Sequence, residues 1–115
     1  MKAISIKNPW ATMFVLRDPS RRKTIETRTW TTGYRGPILL CASKLPGGNF
    51  AGHAYAIGQL VEIRPMTKAD EPAARCPIYP GAYSWIIRDV KRIRPFQVRG
   101  MPGMFEIDLP SPHQP

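Results

Sequence analysis

Short alternating and apolar stretches, separated by turn residues, run the length of the chain. Residues 3–6 (Ala-Ile-Ser-Ile) alternate and predict a first strand. Asn8 and Pro9 then form a helix start, with Asn at the cap and Pro at the first helical position, and predict a helix over 10–16. Asp18, Pro19 and Ser20 end it, and the basic turn Arg21-Arg22-Lys23 leads into a second strand over 23–30. After a turn-rich connection, residues 37–42 are almost wholly apolar, as expected of a central strand. Residues 54–64 predict another strand with a bulge at Gly58. Thr67 is a cap for a short helix through Ala74. Residues 83–94 predict a long strand. Its apolar positions Trp85, Ile87, Val90 and Ile93 change parity, which predicts a bulge near Arg88-Asp89 and puts Trp85 in the core. A last strand is expected over 104–109, with a disordered proline-rich tail over 110–115. Many short strands, Gly and Pro corners and one clear helix after the first strand point to a mostly-β (α+β) fold, a small barrel. At 115 residues there is one core, so a single domain over 1–109 is expected.

Charge changes the picture more than composition does. The formal net charge is +9, and 11 of the 17 basic residues are arginine, the side chain that pairs bidentately with phosphate and stacks on bases. That balance favours a nucleic-acid or nucleotide partner over a cationic one, and single-stranded RNA or a nucleoside is the expected ligand. Two cysteines are too few for a disulfide framework, and neither His53 nor His113 stands at ligand spacing from them, so no metal and no cofactor is implied. The apolar runs are too short to span a bilayer and none reads as a signal peptide, so no membrane partner and a cytoplasmic location are expected; the oligomeric state has no signature.

The densest chemistry lies in the second strand. Strand periodicity puts Thr24, Glu26, Arg28 and Trp30 on one face, with Lys23 at the entrance. A carboxylate, a guanidinium and an indole side by side suit a planar, hydrogen-bonding ligand such as a nucleobase. Lys23 reads as a phosphate or carbonyl anchor, or as an amine of depressed pKa, against a solvated turn lysine. Glu26 reads as a base or an acceptor for an amino group, against a structural partner of Arg28 or Arg35. Arg28 and Arg35 read as phosphate or oxyanion contacts, against scaffold pairing. Trp30 is the best stacking candidate, with Trp10 and Tyr83 as further aromatic contacts. Lys7, Asn8 and Ser43 flank strands expected to border the cleft. His53, in a Gly-rich loop, is either an acid/base group for RNA cleavage or an exposed loop histidine.

These residues resemble a known family. The runs Ile4-Ser5-Ile6-Lys7-Asn8-Pro9-Trp10-Ala11, Lys23-Thr24-Ile25-Glu26-Thr27-Arg28 and Tyr34-Arg35-Gly36-Pro37-Ile38-Leu39-Leu40-Cys41-Ala42-Ser43-Lys44 resemble the ASCH domain family of the PUA-like superfamily. Gly58-Gln59-Leu60-Val61-Glu62, Tyr83-Ser84-Trp85 and Gly100 with Gly103 extend the match over roughly residues 2–109. The resemblance implies a small PUA-like β-barrel whose cleft is lined by the Lys-x-x-Glu-x-Arg segment, and an RNA or modified-nucleoside ligand. Some members hydrolyse the amide of N4-acetylcytidine with a lysine, a threonine three residues on and a distant glutamate; others are described as ribonucleases. Lys23 matches that lysine, whereas the threonine position holds Glu26 and Thr24 is displaced from it. An RNA- or nucleoside-binding module is therefore the expected function. A hydrolase built on Lys23, Glu26 and Thr24, or a ribonuclease, is the alternative.

Overall fold

The apolar run at 38–42 is no more than 2% exposed, and the molecule is built around it. The computed structural model describes residues 1–110. Its strands are β1 (Lys2–Ile6), β2 (Ile25–Arg28), β3 (Gly36–Ala42), β4 (His53–Pro65), β5 (Tyr83–Gln97) and β6 (Met104–Glu106). They form one sheet in the order β2-β5-β4-β3-β1-β6. Every pairing is antiparallel except β1 with β3, which the long crossover between them permits. Alternate residues of β3 feed two layers. Ile38, Leu40 and Ala42 join Ile4, Ile6, Tyr55, Leu60, Trp85 and Ile87 on one face. Leu39 and Cys41 join Ala3, Ala54, Phe105 and Leu109 on the other.

The sheet curls into a half-barrel. Three strands separate β2 from β1 in the sheet order, yet an Nη2 of Arg28 on β2 donates to the Ser5 carbonyl on β1 at 2.7 Å. A side chain, not a backbone ladder, bridges that gap. The bulge expected on the long strand is present: Ile57 pairs with Lys91 but Gln59 with Arg88, and Asp89 has φ 53°. Gly58 lies against it, where a Cβ would sit 2.7 Å from Ile87 Cγ2, so only glycine lets the strands approach this closely.

Helix α1 (Trp10–Met13) follows the first strand, as expected, but stops short of residue 16. Its carbonyls and those of the residues just after it are taken by tertiary partners. Tyr55 Oη donates to Ala11 O, the Lys23 amide to Met13 O, Arg92 to Val15 O and Arg22 to Leu16 O. Asn8 does not cap it. The Asn8 amide donates at 2.9 Å to the carbonyls of Gly47 and Asn49, bracing the loop before β4, and Pro9 takes the cap position. Thr67 and Asp70 form a capping box over a 3₁₀ turn (Lys68–Asp70), and helix α2 (Glu71–Ala74) follows. β6 ends at Glu106 rather than 109. The tail expected over 110–115 lies, beyond Pro110, outside the described residues.

Candidate functional site

Strand β2 is shorter than the 23–30 its alternation predicts, and this rearranges the expected polar face. Regular pairing with β5 covers Ile25 to Arg28 only. Glu26 and Arg28 face the sheet's concave side, opposite Trp85 and Tyr83. Thr24 lies before the strand and is exposed; its amide donates to Ala73 O and its carbonyl accepts from Ile87. Trp30 lies beyond the strand and turns inward. Its ring meets Trp85 edge-on at 4.9 Å, and its carbonyl accepts from the Trp85 indole.

Lys23 is neither solvated nor at an entrance. Its side chain is 2% exposed. Nζ donates to the Ala74 carbonyl at 2.5 Å, sits 3.4 Å from Glu26 Oε1 and lies over the Phe14 ring at 5.5 Å. Burial lowers its pKa from the usual lysine value; the Glu26 charge opposes that shift, and Arg28 adds to it. The other Glu26 oxygen, Oε2, is 3.0 Å from Arg28. Lys23 and Glu26, both buried, and the half-buried Arg28 thus form a row with the carboxylate between two basic side chains. Each carboxylate oxygen has two lone pairs, so Glu26 keeps acceptor capacity beyond these two cations.

The row opens on a cleft of about 370 Å³. Ser5, Ile6 and Lys7 at the end of β1 and Ser43 after β3 form one side of its lining. Trp10, Thr27, Cys76 and Tyr79 complete it. Two aromatic rings therefore reach the cleft, each partly exposed: Trp10 at 38% and Tyr79 at 37%. The end of α2 holds both the row and the aromatic wall, because Ala74 O accepts from Lys23 and Arg75 O accepts from the Trp10 indole at 3.1 Å. Arg75 takes a left-handed conformation, φ 61°, to close that turn. Tyr79 Oη donates to Thr27 Oγ1 at 2.9 Å, with Cys76 Sγ 3.8 Å from the same oxygen.

The structure thus brings together Lys7, Trp10, Lys23, Glu26, Arg28 and Ser43 from the expected set. Asn8, Thr24, Trp30, Arg35 and Tyr83 do not line this cleft. Asn8 braces its loop and Trp30 and Tyr83 pack on the core. Arg35 is exposed and donates to the Thr32 and Tyr34 carbonyls of its own turn. Cys76 and Tyr79 come from the proline-rich loop, where no periodicity marks a facing side. Tyr79 carried one usable signal, as the single aromatic residue of the 76–81 loop, whose other members are Cys76, Pro77, Ile78, Pro80 and Gly81. Among the described residues no group of three or more His, Cys, Asp or Glu side chains is placed to hold a metal ion, and no helix is long and apolar enough to cross a membrane.

A curled, mostly antiparallel half-barrel with a helix after its first strand is the small PUA-like architecture. Among solved structures, the ASCH protein of Zymomonas mobilis superposes with a TM-score of 0.69 at 16% identity, covering 93% of this chain and 87% of that one. A tyrosine-to-phenylalanine variant of that protein gives 0.65 at 14%, covering 93% and 89%, and a serine-to-alanine variant gives 0.65 at 15%, covering 93% and 87%. The chain therefore has the ASCH fold. No protein-family model matches it, and no curated protein matches it significantly.

Proposed function

We propose that the chain is an ASCH-domain protein that binds a nucleobase, in single-stranded RNA or in a modified nucleoside, within the Lys23–Glu26–Arg28 cleft. One observation carries this reading: a cation–carboxylate–cation row opens on a base-sized cleft that Trp10 and Tyr79 also line. Glu26 is the acceptor for an exocyclic amino group, Arg28 and Lys23 are donors to ring carbonyls, and Trp10 or Tyr79 stacks on the base. The net charge of +9 favours an anionic strand beyond the base. Titrating cytidine and uridine against the protein's tryptophan fluorescence tests it. Cytidine binding tighter than uridine by roughly tenfold, the scale of one charge-assisted contact, is the expected result. Equal affinities, or none for either nucleoside, reject the role given to Glu26.

A second reading rests on the amine. A lysine whose pKa is lowered by burial, 3.4 Å from a carboxylate, can hold and pass a proton during amide hydrolysis of an N4-acetylcytidine-type substrate. Release of cytidine from N4-acetylcytidine that disappears in Lys23→Ala and persists in Arg35→Ala supports that chemistry. Binding without turnover leaves the module.

A further inference from the structure

A second groove, larger than the cleft, continues from it. It measures about 880 Å³ and shares Ser5, Arg28 and Ser43 with the cleft. Beyond that common wall the ends of three long strands converge. Lys44 follows β3, His53 begins β4, Gln97 ends β5, and the Arg99–Gly103 segment leads to β6. Backbone bonds set the floor, with Gly52 N donating to Ala42 O at 2.8 Å and Val98 N to Gly52 O at 3.0 Å.

The chemistry of the lining is one-sided. No aspartate or glutamate lines the groove. Lys44 and Arg99 are exposed and form no ion pair among the described residues, whereas Lys2, Lys23, Arg28 and Arg64 are each paired with a carboxylate. His53 Nδ1 lies 2.9 Å from the Ala51 carbonyl, an arrangement in which the neutral ring donates from Nδ1 and keeps Nε2 as an acceptor. Two unpaired cations, a histidine acceptor and the Gln97 amide suit a ribose with its phosphodiester. They do not suit a cation.

We propose that this groove is a phosphodiester subsite. It takes the sugar–phosphate strand leaving a base held in the cleft, with Lys44 and Arg99 on the phosphates and Arg28 at the junction. The inference rests on the cleft reading above and extends it: the ligand is an oligonucleotide strand rather than a free nucleoside. The geometry also separates the two subsites, because Lys44 and Arg99 line the groove and not the cleft, and Lys23 and Glu26 line the cleft and not the groove.

The test compares cytidine with an oligocytidine hexamer by calorimetry, at low and at moderate salt, on the full chain and on the Lys44→Ala/Arg99→Ala double variant. Both side chains are exposed, and an unchanged melting temperature verifies the fold. The hexamer should bind the wild type at least tenfold tighter than cytidine. The double variant should lose roughly tenfold of the hexamer affinity while keeping that for cytidine. Its salt slope should flatten by about 1.4, from two contacts at about 0.7 each on a single strand. Unchanged hexamer affinity and slope in the variant overturn the subsite while wild-type cytidine binding keeps the cleft reading. Equal wild-type affinities for hexamer and cytidine overturn it in the same way. If neither probe binds the wild type, the cleft reading falls and takes the subsite with it.

Discussion

Two buried carboxylates, Glu26 and Asp70, are paired with cations in this molecule, and they are used differently. Asp70 is saturated. Arg64 donates to both its oxygens at 2.7 and 3.1 Å, Ser84 Oγ at 2.9 Å and the Thr67 amide at 3.0 Å. These bonds hold its pKa well below the usual carboxylate range, with Arg64 the largest cause. They tie the end of β4, the 3₁₀ turn and the start of β5 into one knot, and Asp70 lines neither the cleft nor the groove. Glu26 has only Lys23 at 3.4 Å and Arg28 at 3.0 Å, and it lines a cleft. A carboxylate whose lone pairs are spent on the scaffold holds the fold. One that keeps acceptor capacity beside a cavity is available to a ligand.

The comparison breaks first if Asp70 is dispensable. Asp70→Ala should cost roughly 1–3 kcal/mol in urea unfolding, since it leaves the buried Ser84 hydroxyl and the Thr67 amide without their acceptor, while Arg64 keeps Glu62 at 2.9 Å. Below the midpoint its cytidine affinity should match wild type; a loss under 1 kcal/mol would make the knot ornamental. Glu26→Gln should show the reverse pattern. Base binding should weaken by roughly 1–3 kcal/mol, while stability moves by less than about 1 kcal/mol because the shape and one acceptor remain. A collapse in melting temperature with unchanged base preference would make Glu26 a second structural knot.

Acid sharpens the contrast with a smaller effect. Asp70 has a folded pKa below its unfolded value, so its stabilisation is present above about pH 4 and is lost as the pH falls from there. Wild type should lose stability between about pH 4 and about pH 2 more steeply than Asp70→Asn, by up to roughly 1.4 kcal/mol per pH unit. Glu106, lowered at the surface by Lys2 and the N-terminus, contributes to both proteins alike. Parallel profiles would remove the linkage.

The smallest effect is alkaline. Lys23 has a folded pKa below its unfolded value, so the unfolded chain binds more protons in that window and the Lys23 contribution rises toward about pH 10.4. Burial raises Tyr55 and pushes Cys41 up to about 12, and both groups lose stability over the same range in either protein. The Lys23 contribution is therefore the difference in slope between wild type and Lys23→Met in thermal melts. Wild type should fall less steeply, and identical slopes would show that Lys23 keeps an ordinary value.

Much of the scaffold is legible in the sequence. The buried central strand, the bulge opposite Gly58 and the placement of Trp85 in the core all follow from alternation and its interruptions. The grouping of Lys23, Glu26 and Arg28 was legible too, since these residues are close in sequence and meet through local geometry. The aromatic wall was not. Strand periodicity offered Trp30, but regular pairing ends at Arg28, and the Trp30 ring is worth more against Trp85 than in water. The rings that do reach the cleft, Trp10 and Tyr79, stand on a short helix and a proline-rich loop far apart in the chain.

Periodicity reports which residues share a face, because successive side chains of a strand point to opposite sides. It therefore settles which positions are buried and where a strand must bulge. It does not report how far a sheet curls or which loop folds over its open edge. Those depend on contacts between distant segments: Arg28 reaching the Ser5 carbonyl, Asn8 bracing Gly47 and Asn49, and the end of α2 holding Lys23 and Trp10. Each of these bonds joins a side chain to a backbone carbonyl left unpaired by a turn or a strand end. Such carbonyls accept from whatever donor the folded chain brings near, so the walls of the cleft belong to the three-dimensional arrangement and its floor to the local sequence.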